Sequence, residues 1–238
     1  MSVKNTVTGR LEEAFSFPRD NSFLEYLLKI ITDIIRQMRD SLNIAIAGAT
    51  GYVGLELINI LSSHPKSKII YLCANKSAGK KIHYFDKRLT KKKLPKITKI
   101  QSINWNKIDI IFTALPNGEA QKIAKIVPKN IKLIDLSGDF RLKDFKLYKK
   151  WYGIDHKCKK LIKESIYAVT EFTKKNLNKY KIISCPGCYP TSIQLPLVPL
   201  IKKKMIKINN ITIDSKSGYS GAGKKIKEKF KFKHLFSS

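Results

Sequence analysis

The feature that most constrains this chain is a short apolar run that leads directly into a glycine-rich turn and then into a helical pattern. Residues 42–47 form the run, and the glycine-rich turn follows at once. The apolar residues of 55–61 then repeat at helical spacing. A buried strand, a glycine turn and a helix in this order are typical of the first unit of a dinucleotide-binding sheet.

Further apolar runs continue the alternation of strands and helices. We predict strands at 68–73, 109–114, 131–136 and 181–184, and a helix at 118–127. Buried strands that alternate with helices predict an α/β fold with a doubly wound parallel (Rossmann) sheet. Ligands of such sheets bind at the carboxyl ends of the strands, so the loops after each strand are where function is expected.

Three segments are expected along the chain. Residues 42–187 are predicted to form the nucleotide-binding domain. Residues 188–238 are predicted to begin an α+β catalytic and dimerisation domain, with a strand at Ile208–Asp214. Residues 1–41 are a leader that carries an amphipathic helix, to which no function is assigned.

The composition limits the classes of partner. The formal net charge is +29, but only six of the 47 basic residues are Arg and the Lys residues lie along the whole chain. We therefore expect no nucleic-acid partner, although a basic surface attracts anionic small molecules. Four cysteines form no disulfide framework, and charges interrupt every long apolar run. A cytoplasmic protein without a membrane span is expected.

The glycine turn is the first candidate binding site. Its glycines follow the pattern G-x-x-G-x-x-G, in which one glycine is displaced by a residue from the more usual G-x-G-x-x-G. Backbone amides at the start of the following helix can bind a pyrophosphate, whereas the alternative is a purely structural turn. The predicted cofactor-binding residues of this turn are Gly48, Ala49, Thr50, Gly51, Tyr52, Val53 and Gly54.

Two later turns extend the predicted cofactor site. An acidic residue that would contact the ribose of NAD is missing after the second strand, where Lys76 and Ser77 stand instead. These residues favour NADP, because they can hold its 2′-phosphate. The alternative, in so lysine-rich a chain, is that lysines here are ordinary surface residues. Pro116 follows the third predicted strand and is expected to line the nicotinamide side, unless the turn only joins strand to helix.

Cys188 is the candidate catalytic nucleophile. It follows a predicted strand and precedes a helix from about Thr191, which Pro196 and Pro199 are expected to kink or shorten. A helix N-terminus stabilises a thiolate, although a buried structural cysteine is the simpler alternative. With Cys185 it spells C-x-x-C, which also occurs in redox dithiols and zinc sites. The other cysteines lack zinc spacing, so no metal is expected.

Five segments together carry a resemblance to a known family. In order and spacing, from about Leu42 onward, the chain resembles the N-acetyl-gamma-glutamyl-phosphate reductases of arginine biosynthesis. The segments are Gly48–Gly54 (GATGYVG), Asp135–Leu142 (DLSGDFRL), Tyr167–Phe172 (YAVTEF), Pro186–Thr191 (PGCYPT) and Ser217–Lys224 (SGYSGAGK).

The resemblance implies a reaction and a set of site residues. Cys188 would attack an acyl phosphate, phosphate would leave, and NADPH would reduce the thioester to N-acetylglutamate semialdehyde. The family resemblance also implies a homo-oligomer. It adds Arg141, Glu171 and Lys224 as substrate contacts, and Gly218 and Gly221 as cofactor contacts.

Two departures from the family pattern give an alternative expectation. Family members continue well beyond residue 238, and their acid/base histidine lies in that later segment, so the role is not transferred to His234. The alternative is an inactive truncated NADP-binding remnant, or a subunit that needs a partner for its missing half. Asn is usual where Cys185 stands, and oxidation of Cys185 with Cys188 is a hypothesis that thiol titration under mild oxidant would test.

Overall fold

The computed structural model describes residues 41–218, with the backbone alone at 174–176, and also Gly221. The leader helix predicted within residues 1–41 lies outside the described residues, as does Lys224.

Seven strands form one parallel sheet in the order β3-β2-β1-β4-β5-β7-β6. The predicted doubly wound parallel fold is confirmed, and each of the five strands predicted within residues 42–187 is present. The two strands that were not predicted, β3 and β6, are two and three residues long and lie at the sheet edges. The strands are β1 (Leu42–Ala47), β2 (Ser67–Cys73), β3 (Ile97–Thr98), β4 (Ile110–Thr113), β5 (Lys132–Asp135), β6 (Ser165–Tyr167) and β7 (Ile182–Ser184).

Helices connect the strands, and the helix predicted at 118–127 is confirmed as the second of them. The α-helices are α1 (Tyr52–Leu61), α2 (Glu119–Ile126), α3 (Phe145–Tyr152), α4 (Lys159–Ile162), α5 (Thr170–Thr173) and α6 (Cys188–Lys202). Short 3-10 helices lie at Asn75–Ser77, Ile82–Tyr84, Lys87–Leu89, Ile100–Ser102, Trp105–Lys107 and Lys174–Lys179.

The core divides between the two faces of the sheet. Alternate residues of β1 point to opposite faces, so Ile44 and Ile46 belong to one apolar cluster and Ala45 and Ala47 to the other. Helix α1 covers the first face, and α2 covers the second. Because both faces are covered, the strands are mainly apolar, and ligands are expected at the carboxyl edge of the sheet.

The end of the described chain differs from expectation in two respects. Helix α6 is not shortened at Pro196 and Pro199 but runs through both. It is half-exposed along most of its length, so water can satisfy the carbonyl groups that lose a proline N–H donor. Residues Ile208–Asp214 form no strand, because no strand among the described residues lies alongside to pair with them.

Candidate active site

The glycine turn lies at the point where the strand order reverses. Strand β1 has β2 on one side and β4 on the other, so the crevice above its carboxyl end is the usual position for a dinucleotide. The turn folds over the end of β2, since the amides of Gly48 and Ala49 both donate to the Cys73 carbonyl, at 2.9 and 3.2 Å. The predicted loop therefore lies at the predicted edge.

Close backbone approach explains two of the three glycines. Gly48 has a φ of +86°, and a Cβ there would lie well inside 3.0 Å of the Ala114 carbonyl oxygen at the end of β4. A Cβ on Gly54 would lie equally close to the Gly48 carbonyl oxygen. A side chain at Gly48 would push the glycine turn away from the end of β4, and one at Gly54 would push α1 away from the turn.

Gly51 has a different reason to be glycine. It is the N-cap of α1, with extended backbone, and a Cβ there would meet only the Gly48 carbonyl oxygen, at 3.4 Å. The fold therefore accommodates a side chain at this position. As the cap offers no side chain to the amides of the first turn, a phosphate can approach them closely.

Cys188 lies at the same edge of the sheet as the glycine turn. It is the first residue of the 15-residue helix α6, directly after Gly187 as N-cap, and its side chain is half-buried. Strand β7, which leads to it, is separated from β1 by β4 and β5. Three strand spacings correspond to roughly 14 Å, a gap that an extended dinucleotide can cross.

Arg141 joins the segment before Cys188 to the neighbouring strand. Its Nε donates to the Cys185 carbonyl at 2.9 Å, and its Nη2 donates to the Leu136 carbonyl at 3.2 Å. A Cβ at Gly187 would lie 3.1 Å from Nη1, so the guanidinium lies directly against the turn that presents Cys188. The structure thus brings together two residues that the sequence assigned to the site separately.

Cys185 is chemically unlike Cys188 despite the C-x-x-C spacing. It is buried with 2% exposure, and its amide donates to the Asp135 carbonyl at 2.7 Å. Burial raises the pKa of its thiol to about 12, and the neighbouring Asp135 carboxyl adds to this effect. All four cysteines are free thiols in the structure, and of this pair only Cys188 is partly exposed.

A buried carboxylate fixes the turn after β4, which contains Pro116. The Asp139 carboxylate accepts hydrogen bonds from the amides of Gly118 and Gln121, at 2.6 and 3.1 Å. Gly118, the N-cap of α2, has a φ of +90° and no side chain. The carboxylate of Asp139, from another loop, therefore takes the place of a cap side chain. Tyr148 Oη donates to the same carboxylate at 2.6 Å.

The polar side chains around Asp139 are buried and joined to one another by hydrogen bonds. Gln121 Nε2 lies 3.1 Å from Tyr148 Oη, and His156 Nε2 lies 2.8 Å from the Asp139 carbonyl oxygen. Burial lowers the pKa of His156 and raises that of Tyr148. These hydrogen bonds therefore hold the turn that contains Pro116 in one conformation.

Asp135 is a second buried carboxyl group beneath the site. Thr113 Oγ1 and the Ser137 amide donate to its Oδ1, at 2.9 and 3.0 Å. Among the buried side-chain atoms of the described residues, its Oδ2 and the Oγ of Ser184, its register partner on β7, lack a hydrogen-bond partner. Burial raises the pKa of Asp135 to about 6.

The remaining predicted residues are less closely tied to this edge. Lys76 and Ser77 lie in the 3-10 helix directly after β2, with Lys76 exposed and Ser77 half-buried. Glu171 is half-buried in the first turn of α5, which follows β6. Gly218 and Gly221 form a local turn in which the Gly221 amide donates to the Gly218 carbonyl at 2.9 Å. Their roles stay predictions.

Sequence reasoning missed the residues that shape the loops from a distance. Asp139, Gln121 and Tyr148 act through contacts between separate segments, and no local pattern marks them. The one available signal is that Asp139 lies within the DLSGDFRL segment that carries the family resemblance. The structure buries it with 0% exposure, and a buried Asp is almost always paired, as this carboxylate is with the amides of Gly118 and Gln121.

The described residues contain neither a candidate membrane span nor a candidate metal site. No helix within the described residues 41–218 is long and apolar enough to cross a membrane. Over the same part of the chain, no group of His, Cys, Asp and Glu is arranged to hold a metal ion.

The fold and the site are those of a dinucleotide-binding protein with a cysteine at a strand-to-helix turn. Residues 43–180 match the family model described as "Semialdehyde dehydrogenase, NAD binding domain". Residues 188–238 match "Semialdehyde dehydrogenase, dimerisation domain". The chain belongs to the semialdehyde dehydrogenase family.

Curated relatives confirm the narrower resemblance. The chain is 43% identical over 192 residues to N-acetyl-gamma-glutamyl-phosphate reductase of Ehrlichia canis. The aligned residues cover 80% of this chain and 55% of that protein. It is 42% identical over 189 residues to a probable chloroplastic reductase of the same name from Oryza sativa, covering 79% and 46%. The chain thus spans about half the length of the curated relatives it matches.

Solved structures agree on the fold. Aspartate semialdehyde dehydrogenase II of Vibrio cholerae, complexed with ASA, matches 80% of this chain and 51% of its own with a TM-score of 0.54. A second structure of that enzyme matches 68% and 43% with a TM-score of 0.52. The sequence identities are 20% and 18%, so these likenesses concern the fold alone.

Proposed function

We propose that the protein catalyses NADPH-dependent reduction of N-acetyl-gamma-glutamyl phosphate to N-acetylglutamate semialdehyde, a step of arginine biosynthesis. The observation that carries the proposal is the position of Cys188, half-buried at the first residue of α6 and at the same sheet edge as the glycine turn. The names of the relatives supply the substrate.

The first chemical step belongs to Cys188. Its thiolate would attack the acyl carbon, forming a carbon–sulfur bond while the carbon–oxygen bond to phosphate breaks and phosphate departs with the electron pair. Cys188 is the first residue of α6, where the amide groups of the helix N-terminus can donate hydrogen bonds to an anion. Arg141, whose Nη1 faces the Gly187 turn, is proposed to attract the departing phosphate.

The second step is delivery of hydride to the thioester. NADPH supplies the hydride, and the Cys188 thiolate is released as the semialdehyde forms. We propose that residues 48–54 hold the pyrophosphate, that Lys76 and Ser77 hold the 2′-phosphate, and that the Pro116 turn positions the nicotinamide. The Asp139 hydrogen bonds to Gly118 and Gln121 support this last role, because they keep the turn in one conformation.

The remaining assignments are part of the same proposal. Glu171 and Lys224 are proposed to contact the substrate, while Gly218 and Gly221 are proposed to approach the cofactor. A cytoplasmic location is also a proposal, and the relatives from Oryza sativa and Arabidopsis thaliana are named chloroplastic.

A second candidate function is a NADP-binding subunit that turns over only with a partner. Apolar side chains that follow α6 are exposed, by 67% at Met205 and 69% at Ile208, and this segment lies in the match to the dimerisation domain. Several exposed apolar side chains close together along the chain are consistent with an interface. We propose a homo-oligomer, which size-exclusion chromatography with light scattering would detect.

The reverse reaction distinguishes the two candidates. Purified protein is given N-acetylglutamate semialdehyde, NADP⁺ and phosphate, and NADPH formation is followed by absorbance, with Cys188→Ser and Cys185→Ser alongside. The first candidate predicts phosphate-dependent activity that Cys188→Ser abolishes and Cys185→Ser retains. Nucleotide binding without turnover in the parent protein would favour the subunit.

A further inference from the structure

We propose that Lys99 is a second ligand for the 2′-phosphate of the cofactor, so that discrimination between NADP and NAD depends on two separate chain segments. The inference rests on the proposed function, in which Lys76 and Ser77 hold that phosphate. Lys99 does not belong to the glycine turn or to the loop after β2, and no local motif marks it.

The sheet places Lys99 beside the loop after β2. Strand β3 pairs with β2 in parallel, with Cys73 opposite Thr98, and the Ala74 amide donates to the Thr98 carbonyl at 3.1 Å. Lys99 therefore leaves β3 at the level where the chain leaves β2 toward Lys76. Neighbouring strands lie about 4.8 Å apart, so both long side chains can reach one small anion.

The two segments enclose an open cavity. Its volume is about 640 Å³, and its lining residues are Asn75, Lys76, Lys99 and Gln101. This set contains two ammonium groups and two side-chain amides, all able to donate hydrogen bonds, and it contains no carboxylate. Such a lining fits a phosphate and would not repel one.

The position of the cavity matches the ribose end of the cofactor. In doubly wound sheets the group at the carboxyl end of the second strand reads the ribose 2′ position, where an acid selects NAD and a cation accepts the 2′-phosphate of NADP. Within the described part of the chain, no hydrogen bond or ion pair occupies the ammonium group of Lys76 or Lys99. Both can turn toward a bound phosphate.

The general basicity of the protein does not explain this arrangement. Lys96 lies at the other end of β3, is equally exposed, and carries the same charge, but it does not line the cavity. Substitution of either lysine changes the net charge equally. A difference between the two variants therefore reports position and not overall charge.

Nucleotide affinities of the full chain test the inference. Dissociation constants for NADP⁺, NAD⁺ and 2′,5′-ADP are measured by calorimetry for the parent, Lys99→Met, Lys99→Arg and Lys96→Met. We expect Lys99→Met to weaken NADP⁺ and 2′,5′-ADP binding by about tenfold, as loss of one charged hydrogen bond implies, and to change NAD⁺ binding by less than about twofold. Lys99→Arg should retain most of the preference.

The outcomes separate this inference from the proposed function. If Lys99→Met alters NADP⁺ and NAD⁺ affinity equally, or alters their ratio no more than Lys96→Met does, Lys99 is not a phosphate ligand. A parent protein that binds both nucleotides without preference overturns the inference and the 2′-phosphate role proposed for Lys76 and Ser77, but leaves the proposed reductase chemistry of Cys188 standing. A parent protein that binds neither overturns the proposed function as well.

Discussion

Arg141 donates hydrogen bonds to the Cys185 carbonyl, directly after β7, and to the Leu136 carbonyl, directly after β5. The two strands are neighbours in the sheet, and Cys188, the proposed nucleophile, follows three residues after Cys185. Arg141 therefore fixes the direction in which the chain leaves the sheet toward Cys188. Its third nitrogen remains directed at Gly187.

Replacing Arg141 by Lys tests this role. A lysine keeps the charge but cannot hold two carbonyl groups with a planar fork, so Cys188 should lose its fixed position. We expect the rate of Cys188 acylation by the acyl phosphate, followed by phosphate release in a single turnover, to fall by at least about tenfold. NADP⁺ affinity should change little.

The matched control is Arg88→Lys. Arg88 is an exposed arginine that pairs with Asp86 on the surface, so its replacement should leave the acylation rate unchanged. Acylation at the parental rate in Arg141→Lys would show that the arginine fork does not position the nucleophile.

The glycine turn gives a prediction with an internal control. Gly48→Ala should fail to fold or unfold at much lower denaturant concentration, because its Cβ would clash with the Ala114 carbonyl and φ is +86°. Gly51→Ala should fold normally, since its Cβ would lie 3.4 Å from the nearest atom, but should bind NADP⁺ more weakly. Circular dichroism and calorimetry measure the two effects. Equal stability of both variants would contradict the assignment.

The sequence indicated this turn and Cys188 because both depend on local order along the chain. A strand, a glycine turn and a helix are neighbours in sequence, and so are a strand, Pro-Gly and Cys188. The contacts of Arg141, Asp139 and Lys99 join segments that are distant in sequence, and no periodicity reveals them. The prediction of a strand at Ile208–Asp214 was wrong for the same reason. A strand requires a neighbouring strand to pair with, and the alternation of apolar and polar residues does not specify one.

The buried Asp135 makes stability depend on pH. Its pKa is about 6 in the fold against the ordinary 3.8, so the folded state binds more protons between these values. The contribution of this group is therefore fully present below about pH 3.8 and is lost as pH rises through about 6. Asp135→Asn removes the titration and keeps the size of the side chain.

Urea denaturation from pH 4 to pH 8 checks this prediction. The free energy of unfolding of Asp135→Asn, relative to the parent, should rise with pH up to about 6 and then stay constant. Asp155→Asn, at an exposed aspartate, is the control for the loss of one carboxyl group. A difference for Asp135→Asn that does not change with pH would mean that the carboxyl group of Asp135 is ionised normally in the fold.

Tyr148→Phe tests the network that holds the Pro116 turn. The variant removes the hydroxyl that donates to the buried Asp139 carboxylate at 2.6 Å, so the free energy of unfolding should fall by about 1–3 kcal/mol. Tyr152→Phe is the control, because Tyr152 stacks on Tyr148 and contributes mainly its ring. A smaller loss in Tyr148→Phe than in Tyr152→Phe would refute the role of the hydroxyl.

The central claim is that Cys188 forms a thioester with the acyl group, and mass spectrometry tests it most directly. The protein is mixed with N-acetyl-gamma-glutamyl phosphate without NADPH, digested with protease, and its peptides are measured, together with those of Cys188→Ser and Cys185→Ser. We predict an N-acetylglutamyl adduct on Cys188 in the parent and in Cys185→Ser, and none in Cys188→Ser. An adduct on another residue, or an unmodified Cys188 in folded protein that binds NADP⁺, would contradict the claim.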